Sequence, residues 1–253
     1  MKSILSIYII SILLISGCKD ESTQPLDLQN KKLLHKTYSV LNSNTYTEYF
    51  YTDFHKIAKI ESYNNGNLER NSEYEYNEKQ NLVKVSTFIT FSGIPEYSYD
   101  LYEYNTDGTL SKMLAFLKIS DGTYEFRSTT KYEYDVNKRL TKSSIFTSDS
   151  VEVKYTLFIY DDKNNIIETN FYQNGSLSFN DKYEYDNMNN PLKEITSYNS
   201  VFDLSHNNIT KNSQINYMMG NVQSAIIYSY QYNQFGYPIS CNYDSQIYYY
   251  DYY

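Results

Sequence analysis

The chain has 253 residues, a length that suits one large all-β domain or two small ones. Tyrosine occurs 32 times and phenylalanine 12 times, whereas tryptophan is absent and glycine and proline are scarce. This aromatic content excludes an intrinsically disordered chain and favours strands over helices. The formal net charge is −8 and no basic run occurs, which excludes the phosphate-neutralising surface that nucleic-acid binding requires.

The amino terminus has the pattern of a lipoprotein signal peptide. A basic start at Lys2 precedes an apolar run over residues 4–15, which is shorter than the ~20 residues needed to span a bilayer. The run leads into Ile-Ser-Gly-Cys ending at Cys18, which resembles the bacterial lipobox, in which cleavage precedes a cysteine that receives lipid. We predict a signal peptide over residues 1–17 and lipidation of Cys18. An ordinary signal peptide followed by a chance cysteine is the alternative.

Residues 18–31 contain the predicted anchor and a flexible polar tether. Lys19-Asp20-Glu21 resembles the export signal that carries surface lipoproteins of Bacteroidota across the outer membrane. The resemblance implies an outer-membrane location facing the cell exterior, and a tether that is acidic by chance is the alternative. Each buried lipid methylene contributes ~0.8 kcal/mol, so a multiply acylated Cys18 suffices to bind the membrane. Acylation of Cys18 leaves Cys241 without a disulfide partner in the chain.

Residues 32–253 are predicted to form a β domain built from one short repeated unit. The unit reads Tyr-x-Tyr-(Asn/Asp), a polar turn, an apolar residue that we call the marker and, in most copies, lysine two positions later. The clearest copies begin at Tyr74, Tyr102 and Tyr132. The markers recur about every 25 residues, a period typical of folds that copy one supersecondary unit. They are Leu34, Ile57, Leu82, Leu110, Leu140, Ile166, Pro191, Ile209 and Pro238.

Each unit is predicted to form a β-hairpin. Pairs such as Asn65-Gly66 and Asp121-Gly122 lie between units and supply the positive φ angles of hairpin turns. No stretch shows sustained helical periodicity. The sequence therefore predicts an all-β antiparallel meander of about eight to nine hairpins that forms a long curved sheet or a partial or closed β-barrel. The irregular part over residues 194–216 is expected to hold a longer loop.

A four-residue turn loop gives the predicted register within a unit. It places Glu75 opposite Lys84, and opposite charges that face each other across an antiparallel pair contribute about 0.2–1 kcal/mol. The two tyrosines of the unit then point to the other face of the sheet. Leu82 has the same parity as Lys84, which places an apolar side chain on the charged face. The same offset predicts the pairs Glu103–Lys112, Glu133–Lys142 and Glu184–Lys193.

The repeats resemble the YD repeats of RHS proteins, whose motif is Tyr-x-Tyr-Asp, a variable turn and Gly-x-Leu. The resemblance covers most of residues 32–250, although the turn glycine is present only at Gly108 and Gly236. A closer likeness, carried by residues 206–211 and 230–238, is to short Bacteroidota lipoproteins of unknown function with a porin-like fold. That family implies a curved, many-stranded antiparallel sheet or partial barrel. It supplies no catalytic residues.

The Tyr-x-Tyr pairs form a candidate aromatic face. Two rings separated by one residue share a face of a strand, so successive units would build a ladder of tyrosines. Such a ladder can stack on sugars or line an apolar pocket, but rings that recur at the repeat period are more typical of a shared core. The candidate residues are Tyr74, Tyr76, Tyr102, Tyr104, Tyr132, Tyr134, Tyr183, Tyr185, Tyr230 and Tyr232.

The sequence contains no strong catalytic or metal-binding motif. The glutamates of the repeat could suggest a glycoside hydrolase with two carboxylates, but their repeat positions favour solvated cross-strand charges. Asp161, Asp162 and Asp186 lie in predicted turns, where aspartate accepts backbone hydrogen bonds without a metal. We expect no cofactor and no enzyme activity, and interpret the protein as a binding or structural module for a glycan, lipid or protein ligand. A carbohydrate-active hydrolase and a purely architectural spacer are the alternatives.

Overall fold

The computed structural model describes residues 33–39, 41, 44–91, 93–193 and 201–253. The predicted signal peptide, Cys18, the export signal Lys19-Asp20-Glu21 and the tether lie outside the described residues. The described residues form strands and one short helix: β1 (Leu34–Ser39), β2 (Tyr46–Tyr51), β3 (Ile57–Asn64), β4 (Asn67–Tyr76), β5 (Leu82–Phe91), β6 (Ile94–Tyr104), β7 (Leu110–Lys118), β8 (Tyr124–Tyr134), β9 (Leu140–Thr147), β10 (Glu152–Tyr160), β11 (Ile166–Gln173), β12 (Ser176–Tyr185), α1 (Val201–Leu204), β13 (Ile209–Asn216), β14 (Val222–Ile227), β15 (Ser229–Tyr232), β16 (Pro238–Tyr243) and β17 (Gln246–Tyr252).

The strands form one sheet of 17 strands within the described residues, and paired strands run antiparallel. The two ends of the meander meet, because β1 pairs with β2 on one side and with β17 on the other. The sheet is therefore nearly closed into a barrel. The prediction of an all-β antiparallel meander of repeated hairpins is confirmed.

The ring of strands has a seam where β14 passes into β15. β14 pairs with β13, whereas β15 pairs with β16. Only Tyr228 separates the two strands, and its backbone N–H donates to the carbonyl of Thr210 at 2.8 Å, so the chain is still paired with β13 where β14 ends. The continuous segment from β14 to β15 therefore pairs with β13 in its first part and with β16 in its second part. All six residues of β14 are exposed.

The fourth residue of the unit caps the turn of the hairpin. The Oδ1 atom of Asn77 accepts hydrogen bonds from the backbone N–H groups of Lys79 and Asn81, both at 3.0 Å. The residue three positions after the cap has a positive φ angle, which glycine adopts most readily. Two turns use glycine there, at Gly108 and Gly236, and others hold a side chain in the same conformation: His55, Gln80, Lys138 and Asn164. These turns therefore share one backbone conformation, including those without glycine.

A β-bulge after each turn corrects the predicted faces. Tyr76 pairs with Leu82 and Glu75 pairs with Lys84, so Val83 is an extra residue. Leu82 is consequently buried, while Lys84 binds Glu75 at 2.7 Å on the opposite face. The expectation that Leu82 shares the charged face is wrong, because the bulge interrupts the two-residue alternation. The same register shift occurs where Tyr104, Tyr134 and Tyr185 pair with the marker that begins the next strand.

Residues 186–208 interrupt the repeat between β12 and β13 and include α1; we call them the insertion. Pro191, predicted as a marker, lies in a turn, and Lys193 contacts His206 at 2.9 Å. Glu184 pairs with Lys211 at 2.8 Å, so the predicted Glu184–Lys193 pair is wrong because the next strand begins only at Ile209. The latter part of the predicted loop over 194–216 is β13. No helix in the described part of the chain has the length and apolar character to cross a membrane.

The core lies at the end of the barrel where the capped turns lie. Eight of the markers begin strands and are buried there, with Leu34, Leu110, Ile166 and Ile209 at most 1% exposed. The second tyrosine of a unit donates its hydroxyl to the carbonyl of the preceding marker, as Tyr104 does to Leu82 at 2.9 Å. The same tie joins Tyr51 to Leu34, Tyr76 to Ile57, Tyr185 to Ile166 and Tyr252 to Pro238.

Candidate functional site

The predicted aromatic face is the inner face of the barrel. Tyr102 and Tyr132 are buried in its main apolar cluster, and five further candidate rings pack against that cluster: Tyr74, Tyr76, Tyr104, Tyr134 and Tyr183. The hydroxyl of Tyr185 binds the backbone of Ile166, and that of Tyr232 binds the carboxylate of Asp186. Tyr230 lines a small pocket described below. Most of these rings therefore fill the interior, and few are left to contact a ligand.

The glutamates of the repeat lie on the outer face as ion pairs. Each bonds to a lysine on the neighbouring strand, and each glutamate side chain is more than half exposed: Glu75, Glu103, Glu133 and Glu184. Exposed pairs of this kind contribute about 0–1 kcal/mol each. Among the described residues, no group of three His, Cys, Asp or Glu side chains is placed to hold a metal ion.

The inner face of β8–β13 borders a cavity of about 510 Å³, which we call the barrel cavity. Cross-strand neighbours build its wall, since Phe158 pairs with Thr169 and Thr169 pairs with Asp181. The helix α1 contributes Val201. The lining combines aromatic rings, aliphatic side chains, hydroxyls and one carboxylate: Thr130, Ser143, Ile145, Thr156, Phe158, Thr169, Phe171, Phe179, Asp181, Val201 and Gln214.

Asp181 is the one ionisable side chain in this lining. Its Oδ1 accepts a hydrogen bond from Gln214 Nε2 at 2.9 Å. Burial raises the pKa of the Asp181 carboxyl, and hydrogen bonds from Gln214 and Asn212 offset part of that rise. A mainly apolar cavity with a few placed polar groups is typical of small-molecule sites.

A second cavity of about 330 Å³, which we call the tyrosine pocket, lies beside the seam. The insertion contributes Phe202 and Asn190, and Tyr228 at the seam contributes its ring. The strands contribute the rings of Tyr230, Tyr243 and Tyr250 together with the thiol of Cys241. Cys241 is buried and unpaired, and burial raises the pKa of its thiol to about 11. The thiol is therefore protonated at neutral pH and is a weak nucleophile.

A buried polar network holds the insertion against the barrel. The backbone N–H of Asn207 donates to Asn165 Oδ1 at 2.9 Å, and Asn165 Nδ2 donates back to Asn207 Oδ1 at 3.1 Å. The Ser205 hydroxyl accepts a bond from the backbone N–H of Ile166 at 3.3 Å and contacts the Tyr185 hydroxyl at 2.8 Å. These bonds fix the segment that follows α1, and so they position the helix that contributes to both cavities.

The residues of the barrel cavity were not among those predicted from the sequence. Phe179 and Asp181 precede Tyr183 by four and two positions, so strand alternation places all three on one face. The same alternation relates Thr169 to Phe171 on β11. Extending the tyrosine face back along each strand could have identified these residues. They escaped because they are not part of the repeated motif.

Comparison with known proteins relates the fold to that of a porin-like protein of similar length. A porin-like protein from Bacteroides vulgatus superposes with a TM-score of 0.52 at 13% identity, over 87% of this chain and 99% of that chain. A porin-like protein from Bacteroides uniformis gives 0.42 at 12% identity, over 87% and 98%. A chain of the TcdB2-TccC3-Cdc42 complex gives 0.29 at 8% identity, over 83% of this chain and 15% of that chain. No protein-family model and no curated protein matches the sequence. The first likeness, at such low identity, concerns the fold.

Proposed function

We propose that the protein is a non-enzymatic binding module, anchored by lipid to the outer membrane and facing the cell exterior, that takes a small amphipathic molecule into the barrel cavity. The barrel cavity carries this proposal. Its volume of about 510 Å³ falls within the roughly 300–1,000 Å³ typical of small-molecule sites. Three phenylalanine rings offer apolar contact, and hydroxyls with one carboxylate can orient the polar end of the ligand.

The anchor is proposed at Cys18 because the outer face of the barrel is poorly suited to lipid. Charged pairs such as Glu75–Lys84 and Glu103–Lys112 lie on that face. A lysine placed on the lipid face of a membrane barrel costs about 2–4 kcal/mol at the midplane. The lipobox-like sequence ending at Cys18 and the Lys19-Asp20-Glu21 segment support attachment and export instead. The likeness to a porin-like protein is compatible with a place in the cell envelope.

Substitution of Phe171 tests the cavity. Phe171 lines the barrel cavity and packs against Phe179 with ring centroids 5.9 Å apart. Phe116 is a matched control, since it packs against Phe126 at 5.6 Å but does not line the barrel cavity. Calorimetry with a panel of monosaccharides, short-chain lipids, aromatic alcohols and amines is expected to find a ligand that loses at least about tenfold affinity in Phe171→Ala and none in Phe116→Ala.

Two results would contradict the proposal. One is the absence of saturable binding to every member of the panel, which the architectural-spacer interpretation predicts. The other is equal loss of affinity in both variants, which would place the ligand elsewhere or report a general loss of structure. Phe171→Leu keeps most of the buried volume, so it separates loss of the ring from loss of the fold.

A further inference from the structure

Resting on the proposed function, we infer that the barrel cavity selects an organic cation, a molecule with an ammonium group that binds Asp181 and an apolar part that packs against Phe171 and Phe179. The three side chains lie on two neighbouring strands. Phe171 pairs with Phe179 across β11 and β12, and Asp181 follows Phe179 by two positions on the same face. The carboxylate and the two rings thus line one stretch of the wall.

Among the residues that the structure describes, the carboxylate of Asp181 has no cationic partner. Its hydrogen-bond donors are neutral amides, those of Gln214 and Asn212. Within the described residues Asp181 forms no ion pair, and none of the lining residues is Lys, Arg or His. A partly buried carboxylate is unfavourable unless an opposite charge compensates it. A bound cation would supply that charge.

Asp100 provides the contrast. It is also a carboxyl on the inner face whose pKa is raised by burial, but the positive charge of Arg70 offsets part of the rise. Asp100 does not line the barrel cavity. The protein thus compensates one desolvated carboxyl with its own arginine and leaves the one in the cavity without a cation.

The hydroxyls of the site also suit a donor. Asn212 is not part of the lining, and its side chain serves the site only through its hydrogen bond to Asp181. An alkylammonium offers three N–H donors and no acceptor, so it can bind a carboxylate and further oxygen acceptors at once. The hydroxyls of Thr169 and Thr156 are further acceptors in the lining.

The aromatic rings favour the same ligand. The faces of aromatic rings attract ammonium groups, with a contribution of about 0.5–2 kcal/mol that increases with desolvation. Phe158, Phe171 and Phe179 supply three such rings around one cavity. A carboxylate or phosphate ligand would instead meet the negative charge of Asp181 without a compensating cation. The charge of the lining therefore discriminates against anions.

Three probes that share one ring and differ in charge test the inference. Fluorine NMR titration would compare 4-fluorobenzylammonium, 4-fluorobenzyl alcohol and 4-fluorobenzoate on the purified protein. We expect the ammonium to bind at least about tenfold more tightly than the alcohol, and the benzoate to bind more weakly than either. Asp181→Asn should remove the preference for the ammonium over the alcohol. Asp100→Asn should leave both affinities unchanged.

The outcomes separate this inference from the proposed function. Equal binding of the three probes, or a preference for the ammonium that persists in Asp181→Asn, would overturn the inference. If in that case Phe171→Ala still abolished binding, the cavity would stand as a binding site without charge selection. Absence of binding by all three probes would overturn the inference as well. The comparison of probes on the unaltered protein needs no variant, so it does not depend on the folding of Asp181→Asn.

Discussion

The hydroxyl of the second tyrosine in five of the units performs a task that a phenylalanine could not. In five units it donates to the backbone carbonyl of the marker in the unit before, as Tyr104 does to Leu82. The ring contributes apolar area to the core, while the hydroxyl binds the Leu82 carbonyl beside the β-bulge at Val83, where regular strand pairing is interrupted. This double role explains why the repeat uses tyrosine at a largely buried position.

Tyr104→Phe is expected to lower the free energy of unfolding by about 1 kcal/mol, because the Leu82 carbonyl loses its 2.9 Å hydrogen bond while the ring stays in place. Tyr97→Phe is the control, since Tyr97 is 41% exposed. Urea unfolding followed by circular dichroism would measure both variants. An equal loss of stability in the two would show that the tie between units contributes nothing.

At the scale of the element, the insertion between β12 and β13 brings Val201 and Leu204 of α1 against the main apolar cluster. Asn165, on the preceding hairpin, is the point to which it is fixed, and this side chain is only 1% exposed. The exchange of two hydrogen bonds between Asn165 and Asn207 gives the insertion a defined position. Because α1 has only four residues, that position depends on these bonds rather than on intrinsic helix stability.

Asn165→Ala should therefore destabilise the protein by about 1–3 kcal/mol, since it leaves the backbone N–H and Oδ1 of Asn207 buried without partners. Hydrogen exchange should accelerate over residues 201–208 before it does so in the strands. Asn137→Ala is the control, because Asn137 is exposed and its backbone N–H bond to Asp135 survives the substitution. Uniform acceleration across the whole barrel would argue against a local role for Asn165.

The elements differ in how far the sequence reveals them. Turn caps such as Asn77 and cross-strand pairs such as Glu75–Lys84 act over a few residues and recur, so the hairpins and most of the register could be predicted. Pro191 and Lys193 match the marker and the lysine of the repeat in sequence. In the structure they lie in a turn, and Lys193 contacts His206, which local sequence does not predict. The barrel cavity could not be predicted, because Asp181 and its neighbours meet through strand pairing and are outside the repeated motif.

At the scale of the whole molecule, the nearly closed barrel and the proposed anchor have separate roles. The pairing of β1 with β17 joins the two ends of the meander through backbone hydrogen bonds, and Cys241, the cysteine among the described residues, forms no disulfide. The outer face carries exposed ion pairs, and attachment to a membrane is therefore proposed to depend on Cys18 alone. Cys241 is buried and protonated, so the proposed lipidation concerns Cys18 and not Cys241.

Cys18→Ala is expected to release the protein from the membrane fraction, because the acylated thiol supplies the proposed attachment. Cys241→Ala removes the other thiol and should leave the protein in that fraction. Replacing Lys19, Asp20 and Glu21 with alanine should keep membrane attachment but protect the protein from protease added to whole cells. Retention of Cys18→Ala in washed membranes would refute the anchor, and unchanged cleavage of the triple variant would refute the export signal.

The hydrogen bond from the second tyrosine of a unit to the preceding unit, present in five units, has a consequence for how such a barrel can grow. A duplicated unit would bring its own hydroxyl to fasten it to the unit behind and would present its own marker carbonyl to the unit ahead. The circumference of the barrel would increase by two strands, and the number of tyrosine–carbonyl hydrogen bonds between units would not fall. The circumference then depends on the number of repeat units. Gene duplication alone can therefore change the width available to a ligand, without substitution of any residue in the repeat.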